Sequence, residues 1–362
     1  MRILIVGAGP IGCYTARLLK ERDSSLDITI IEEHAQIGRP VHCAGLVSRD
    51  TFQEARVHLD GNSILNHIDG AEFFLEGDSF RINRKDVALV INRQEFDCEL
   101  GNGLKVELNT KFVGIEKESG GYLIETDKGE YYADIVIGAD GANSTLRKAA
   151  GFKENIEYLR GVQYRIKYNP GSRAFVQVFL KSQFFGWIIP ESDTVVRAGI
   201  ISQSPYRDLT ELLKELSIEG EILEKFAGIV PLGRCSAQKG NLFLVGDAAC
   251  QVKPLTHGGI YYGMRCAEIL VDCIIKRKFK DYEKLWQKKF LREIEVGLRF
   301  RRLYEGLSKN NLAKLFALLK RNKGLLEKAG DFENHSKIIF ALVKNTHLPS
   351  LFGDILLNIF KG

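Results

Sequence analysis

The 362-residue sequence predicts an α/β protein in three parts: a doubly wound parallel-sheet domain built from separated segments, an antiparallel-sheet domain, and a helical C-terminal region. Three observations predict it. A β-α-β pattern with a glycine-rich first turn fills the first thirty or so residues. Short alternating strands divided by polar turns follow from Lys105. A buried strand of the first kind returns near residue 240, and from Asp281 onward the pattern is helical.

The elements follow in order. Arg2-Ile3-Leu4-Ile5-Val6 is a β-branched apolar run that ends in Gly7-Ala8-Gly9-Pro10-Ile11-Gly12, and a helical pattern continues through Leu19. Asp27-Ile28-Thr29-Ile30-Ile31-Glu32 is the second strand. Between Lys105 and Ile137, strands are split by turns such as Glu118-Ser119-Gly120-Gly121 and Asp127-Lys128-Gly129. Gln163–Tyr168, Ala174–Leu180 and Thr194–Ile201 read as antiparallel strands, and Leu209–Phe226 as a helix. Asn241–Val245 is a buried strand; Gly246-Asp247-Ala248 follows it, then a helix from about Gly259 to Ile275.

Composition narrows the class. With 45% hydrophobic and 27% charged residues, the chain is neither disordered, collagen-like nor a disulfide scaffold. Its seven cysteines are odd in number and form no C-x-x-C pair, which predicts reduced thiols in a cytoplasmic protein and no zinc site. No stretch approaches the roughly 20 apolar residues of a membrane span. The net charge of +5 is uneven: Lys276 to Lys323 holds 16 Lys/Arg against 5 Asp/Glu, a local +11, so the remainder carries −6. No RNA- or DNA-binding motif accompanies the basic stretch.

Gly7-x-Gly9-x-x-Gly12 between strand and helix is a dinucleotide-binding turn. Gly7 permits the tight turn, Gly9 lets the backbone approach a pyrophosphate, and Gly12 lets helix and sheet pack closely. Glu32 closes the second strand, placed for an adenosine ribose; Glu33 should point to the other sheet face. Two later motifs select a flavin over a nicotinamide. One is the strand Asp134–Ile137 running into Gly138-Ala139-Asp140-Gly141. The other is Leu242–Val245 running into Gly246-Asp247-Ala248-Ala249, then Pro254 and Gly258-Gly259-Ile260. Asp247 can reach a ribityl hydroxyl, and the helix opened by Gly258-Gly259-Ile260 would stabilise negative charge on a reduced ring. Each aspartate alone also reads as a helix cap. Arg93, before a helix, suits a phosphate or the ring.

These motifs, in this order, resemble the p-hydroxybenzoate hydroxylase-like FAD flavoproteins over about residues 1–275. Within them the chain resembles the geranylgeranyl reductase family, on two motifs. Pro40-Val41-His42-Cys43-Ala44-Gly45 resembles the family's Pro-Val-x-Cys-(Ala/Gly) active-site loop, and Phe185-Gly186-Trp187-Ile188-Ile189-Pro190 its Tyr-x-Trp-x-Phe-Pro pocket motif. Phe185 and Ile189 replace Tyr and Phe, Cys250 replaces a usual Gly, and His257 stands where the flavin-side loop usually has Gly. The resemblance implies FAD contacts at Gly7, Gly9, Ile11, Gly12, Glu32, Cys43, Ala44, Arg93, Val113, Asp140, Asp247, Pro254, Gly258, Gly259 and Ile260. It implies substrate contacts at Phe185, Trp187, Ile189, Pro190 and His257.

It also implies a domain division. The FAD-binding domain takes 1–60, 91–155 and 232–280, the substrate domain 61–90 and 156–231, and the helical region 281–362.

The implied activity is hydrogenation of isoprenoid C=C bonds, with a geranylgeranyl lipid or geranylgeranyl diphosphate as substrate. Such a bond needs a hydride on one carbon and a proton on the other in a dry pocket. Cys43 is the catalytic candidate, as proton source or positioner; Phe179, Phe184, Phe185, Trp187 and Ile189 are candidate walls. No second GxGxxG is present, so no dedicated nicotinamide domain is expected, and the sequence does not choose among NAD(P)H, ferredoxin or another reductant as electron donor. The basic stretch, with the apolar clusters Ile338–Val343 and Ile355–Phe360, is the expected membrane-facing surface of a cytoplasmic, peripheral protein. The rivals are an FAD-dependent aromatic monooxygenase and a flavin- or lipid-binding carrier.

Overall fold

The structure, a computed structural model, describes residues 1–51, 63–181 and 184–345. Its first sheet has six strands in the spatial order Gln238–Lys239, Leu242–Leu244, Ile135–Gly138, Arg2–Val6, Asp27–Ile31 and Val106–Glu107. All neighbours are parallel except at the Gln238–Lys239 edge. Ile3, Leu4, Ile5, Val136 and Ile137 are buried, which is why these strands read as unbroken apolar runs. They share one core with the helices Pro10–Arg22 and Ile260–Ile275 and with a three-stranded sheet that begins at Phe112.

The second sheet has eight strands: Ile222–Cys235, Glu154–Lys167, Val195–Ile201, Phe184–Pro190, Phe175–Lys181, Ile64–Leu75, Asp78–Ile91 and Leu46–Ser48. Only the pairing of Phe175–Lys181 with Ile64–Leu75 is parallel. One face of this sheet, with Ile188, Ala198, Ile200 and Phe179, lies under the helix Pro205–Glu215. The opposite face carries Phe185, Trp187 and Ile189. It meets Ala44 of the first domain and Phe332 of the C-terminal region.

Three expectations need correction. The chain enters the second sheet at Leu46, where Leu46–Ser48 pairs with the edge of Asp78–Ile91, well before the boundary expected at 60. The helix expected over Leu209–Phe226 stops at Glu215, and Ile222–Cys235 is a strand. Ser217 takes a left-handed φ of 53°, which ends the helix, and the strand then pairs along nearly the whole of Glu154–Lys167. Phe179 is not a pocket wall: it pairs with Gly186, so it points to the helix-covered face and stacks on Phe74.

The C-terminal helices are Tyr282–Glu305, Lys309–Arg321, Lys323–Ala329 and His335–Asn345. Their apolar stripes turn inward. Trp286, Phe290 and Ile294 join the first core, while Leu312, Leu315 and Phe316 pack on Leu75 and Phe80 of the second sheet. Ile339 and Leu342 are also buried, so these two residues of the expected apolar membrane face at Ile338–Val343 belong to the interior instead. Ile355–Phe360 lies outside the described residues. Among the described residues no helix is long and apolar enough to cross a membrane.

Candidate active site

The glycine turn is built as its spacing predicts. Gly7 has φ 102°, and a Cβ there would lie 2.6 Å from the Ala139 carbonyl oxygen. A Cβ on Gly12 would lie 2.0 Å from the Gly7 oxygen, so strand and helix touch through backbone. At Gly9 no atom stands within 4 Å of that position, which leaves an open cradle. The helix Pro10–Arg22 has no side-chain cap and no acid in its first turn, so its N–H groups and dipole are free for an anion. Ile11 itself is core: its side chain packs on Gly246 and Gly263.

Glu32 Oε2 accepts the Ala8 N–H at 2.8 Å, and Oε1 accepts the His34 N–H at 3.0 Å. The Thr110 N–H donates to the Glu32 carbonyl at 2.7 Å, which brings the chain leading to exposed Val113 alongside. Glu33 turns to Lys111, as the pleat requires. Asp140 acts as the expected helix cap. Its Oδ2 caps the next helix through the Leu146 N–H at 3.1 Å, while Oδ1 is buried without a partner among the described residues. Open cradle, helix terminus, acidic strand end and orphaned carboxylate oxygen together fit the dinucleotide half of FAD.

A second cluster centres on Arg93. Its guanidinium grips Asp97 at 2.9 and 3.1 Å and lies against the Cys43 sulfur. Burial works against its charge, but Asp97 and Cys43 hold its pKa above the ordinary value. Burial pushes the Asp247 carboxyl up to about 6, with Arg93 opposing. Asp247 Oδ1 occupies the space where a Cβ on Gly259 would sit, 2.3 Å away. Gly259 and Ile260 open a helix with no side-chain cap and no acid in its first turn, and Gly258 packs on Lys253. The Pro254 ring packs on Gly297 of the helix Tyr282–Glu305.

The Cys43 loop is clamped to the second sheet. The Gly45 N–H donates to Cys43 Sγ at 3.3 Å. Arg197 donates to the Ala44 carbonyl at 2.8 Å, to the Ile91 carbonyl at 3.1 Å and to Glu191 at 2.9 Å. Burial alone would raise the Glu191 carboxyl, but Arg165 and Arg197 hold it below the usual range. On the same sheet face the Trp187 indole lies over Gly199. Its Nε1–H donates to Gln163 Oε1 at 2.9 Å.

Phe185 tilts toward Trp187, with ring centroids 6.0 Å apart, and stacks on His257 at 5.3 Å. Phe185, Trp187 and His257 thus come together. Ile189 and Pro190 do not line open space: Ile189 is 2% exposed beside Val176 and Ile68, and the Pro190 carbonyl accepts from Asn66. The Phe184 side chain lies outside the described residues.

Residues 5–60 match the NAD(P)-binding Rossmann-like domain family. An uncharacterised protein of Methanocaldococcus jannaschii is 32% identical over 95% of each chain. Digeranylgeranylglycerophospholipid reductase of Methanosarcina acetivorans is 26% identical over 89% of each chain. That of Methanococcus vannielii is 27% identical over 86% of this chain and 88% of its own. The chain belongs to the geranylgeranyl reductase family.

Solved structures give this family member the same fold. A geranylgeranyl bacteriochlorophyll reductase-like protein of Thermoplasma acidophilum superposes with a TM-score of 0.85 at 23% identity over 98% of both chains. The p-nitrophenol 4-monooxygenase of Pseudomonas putida superposes at 0.73, with 17% identity over 94% of this chain and 96% of its own.

Sequence reasoning missed three residues of this geranylgeranyl reductase-family site. Arg197 and Gln163 sit in alternating strands where a polar residue reads as outward-facing. Arg147 is wholly buried and binds the Ala142 and Ala248 carbonyls, tying together the turns that carry Asp140 and Asp247. Only the register of distant strands brings the first two inward.

Proposed function

We propose that the protein is an FAD-dependent reductase that hydrogenates the isoprenoid C=C bonds of geranylgeranyl chains. The observation that carries this reading is Cys43, held beside Arg93 and clamped by Arg197 against the face that bears Phe185 and Trp187. FAD, held by the Gly7–Gly12 turn, Glu32, Asp140, Asp247 and the turn at Gly258-Gly259-Ile260, supplies the hydride chemistry.

The chain's own residues do the rest. An isolated alkene has no carbonyl to absorb charge, so the second carbon needs a positioned proton in a site that excludes water. The Cys43 thiol gives that proton, and the Gly45 N–H and the Arg93 guanidinium face the sulfur that is left negative. Phe185 and Trp187 supply the apolar wall. The reading also brings the protein to lipid: exposed Lys284, Lys288, Arg292 and Lys314 on the outer helices would each contribute about 1 kcal/mol near an anionic bilayer.

The test is anaerobic. The flavoprotein is reduced, a geranylgeranyl lipid is added, and flavin reoxidation is followed together with product mass. Two hydrogens gained per double bond are expected. An oxygen-containing product in air, with no hydrogenated lipid, would make the protein a monooxygenase.

A further inference from the structure

One wall of the proposed pocket carries hydrogen-bonding capacity that the described residues leave unused. Gln163 pairs across the sheet with Gly199, and Gly199 with Trp187, so all three share one face. Gln163 is only 5% exposed. The Trp187 Nε1–H is a donor only, so the Gln163 oxygen must face it. That fixes the amide and leaves Nε2, which is shut off from solvent and has no partner among the described residues.

The same holds for His257. Phe185, two residues before Trp187 and on its face, stacks flat on the imidazole, with 7° between the planes. Both ring nitrogens of His257 are shut off from solvent and unpartnered. Burial, with the Arg301 charge adding to it, lowers its pKa to about 3, so the ring is neutral at pH 7 and keeps one donor and one acceptor. Its backbone is left-handed, φ 60°, a conformation that glycine takes freely and histidine does not. An imidazole kept in a strained position, with both nitrogens idle, points to a ligand.

The charges near this wall are already matched. Lys253 pairs with Glu333 at 2.8 Å, Arg301 with Glu157 and Glu305, Arg165 and Arg197 with Glu191, and Arg93 with Asp97. Each of these cations already has a carboxylate partner, Arg165 and Arg197 sharing Glu191, so a phosphate placed here would compete with an existing pair.

We infer that Gln163 and His257 form a neutral polar pole in an otherwise apolar pocket, and that the substrate is an isoprenoid whose uncharged oxygen, a hydroxyl or ether, binds there. A neutral oxygen suits each group: it accepts from Gln163 Nε2, and it accepts from or donates to the neutral imidazole of His257. The inference rests on the reductase reading and names its substrate class.

Calorimetry on the full FAD-loaded, oxidised chain tests it without turnover. The probes are geranylgeraniol, a hydrocarbon of the same length and geranylgeranyl diphosphate. The alcohol should bind about tenfold tighter than either of the others, the worth of one to two net hydrogen bonds. Gln163→Met and His257→Phe should each weaken the alcohol about three- to tenfold and leave the hydrocarbon within about twofold. His257→Gly relaxes the backbone, so it should fold and lose the same preference.

Equal binding of alcohol and hydrocarbon, tightest binding of the diphosphate, or variants with unchanged alcohol affinity would overturn the inference. The reductase reading survives those results if the bound probe is hydrogenated once the flavin is reduced. Binding of none of the three sinks both.

Discussion

Replacing Arg197 by Met should unfasten the Cys43 loop at a large, measurable cost. Arg197 is 7% exposed, and Met keeps most of its length and apolar packing. What disappears is three hydrogen bonds: to Glu191 and to the Ala44 and Ile91 carbonyls. A buried acceptor left without a donor costs about 1–3 kcal/mol. Glu191 keeps Arg165, which grips both its oxygens at 2.5–3.0 Å, so the full 3–5 kcal/mol or so of a broken buried pair does not apply. The two carbonyls and the weakened pair together come to about 3–5 kcal/mol. That is a large share of the roughly 5–15 kcal/mol of a typical domain, yet it leaves the protein folded.

Urea unfolding of the FAD-loaded protein at pH 7 checks this, read as a lower midpoint at unchanged slope. Arg197→Lys should recover less than half, because one ammonium cannot span a carboxylate and two carbonyls. In a Cys98→Ala background, iodoacetamide should label Cys43 several times faster in the Met variant, since the loop loses its tether. A loss below about 1 kcal/mol would mean that water or backbone re-pairs the carbonyls, and the clamp argument would be wrong.

Asp247 should give the protein a pH signature. Its carboxyl is raised from 3.8 to about 6 by burial, so the folded state holds the proton more tightly than the unfolded one; stability should fall as pH rises from about 4 to about 6 and then level off. Asp247→Asn should flatten that slope and stabilise the flavin-free protein by about 1–3 kcal/mol above pH 6 in urea melts, while weakening FAD; a variant less stable than the parent at pH 7.5 would contradict the sign. Cys43→Ser should slow lipid reduction about 10²–10⁴-fold with FAD affinity unchanged, and parent rates in both the Ser and Ala variants would make the cysteine structural. Gly9→Ala should fold normally but bind FAD weakly in a flavin titration, whereas Gly12→Ala, whose Cβ would lie 2.0 Å from the Gly7 oxygen, should yield little folded protein; the reverse pattern would misplace the pyrophosphate cradle.

The nucleotide half was legible because its chemistry is contiguous. Gly7, Gly9, Gly12 and Glu32 are specified by one turn and the strand that follows, and the structure gives each the geometry its residue type demands. The turns at Asp140 and Asp247 were legible for the same reason. The antiparallel half was harder. Whether Ile222–Phe226 is helix or strand depends on a partner at Glu154–Lys167, far back in the chain, and local periodicity does not see it. Phe179 could have been excluded from the pocket by counting parity along its strand, but only once its register with Gly186 was fixed. The clamp had no local signal, since Arg197 lies between Val196 and Ala198 like any outward residue of an alternating strand.

Register also explains why the clamp and the polar pole coexist. On one sheet face, Ile189, Arg197 and Arg165 form one cross-strand row; Trp187, Gly199 and Gln163 form the next; Phe185, Ile201 and Gly161 form the third. Rows two residues apart are separated by ~6.6 Å, so the first and third stand ~13 Å apart. The first row is ionic and fastens the cysteine loop. The second is neutral and polar, with a glycine at its centre that lets the indole lie flat over the backbone. The third is apolar and meets His257. A one-residue slip of Phe184–Pro190 would turn Phe185, Trp187 and Ile189 to the helix-covered face, taking the Trp187 bond and the His257 stack with them. The buried Arg197–Glu191 pair resists such a slip: Glu191 directly follows Phe184–Pro190, and its carboxylate meets the guanidinium with Arg197 opposite Ile189, so the arginine that holds the cysteine loop also favours this register of the pocket wall.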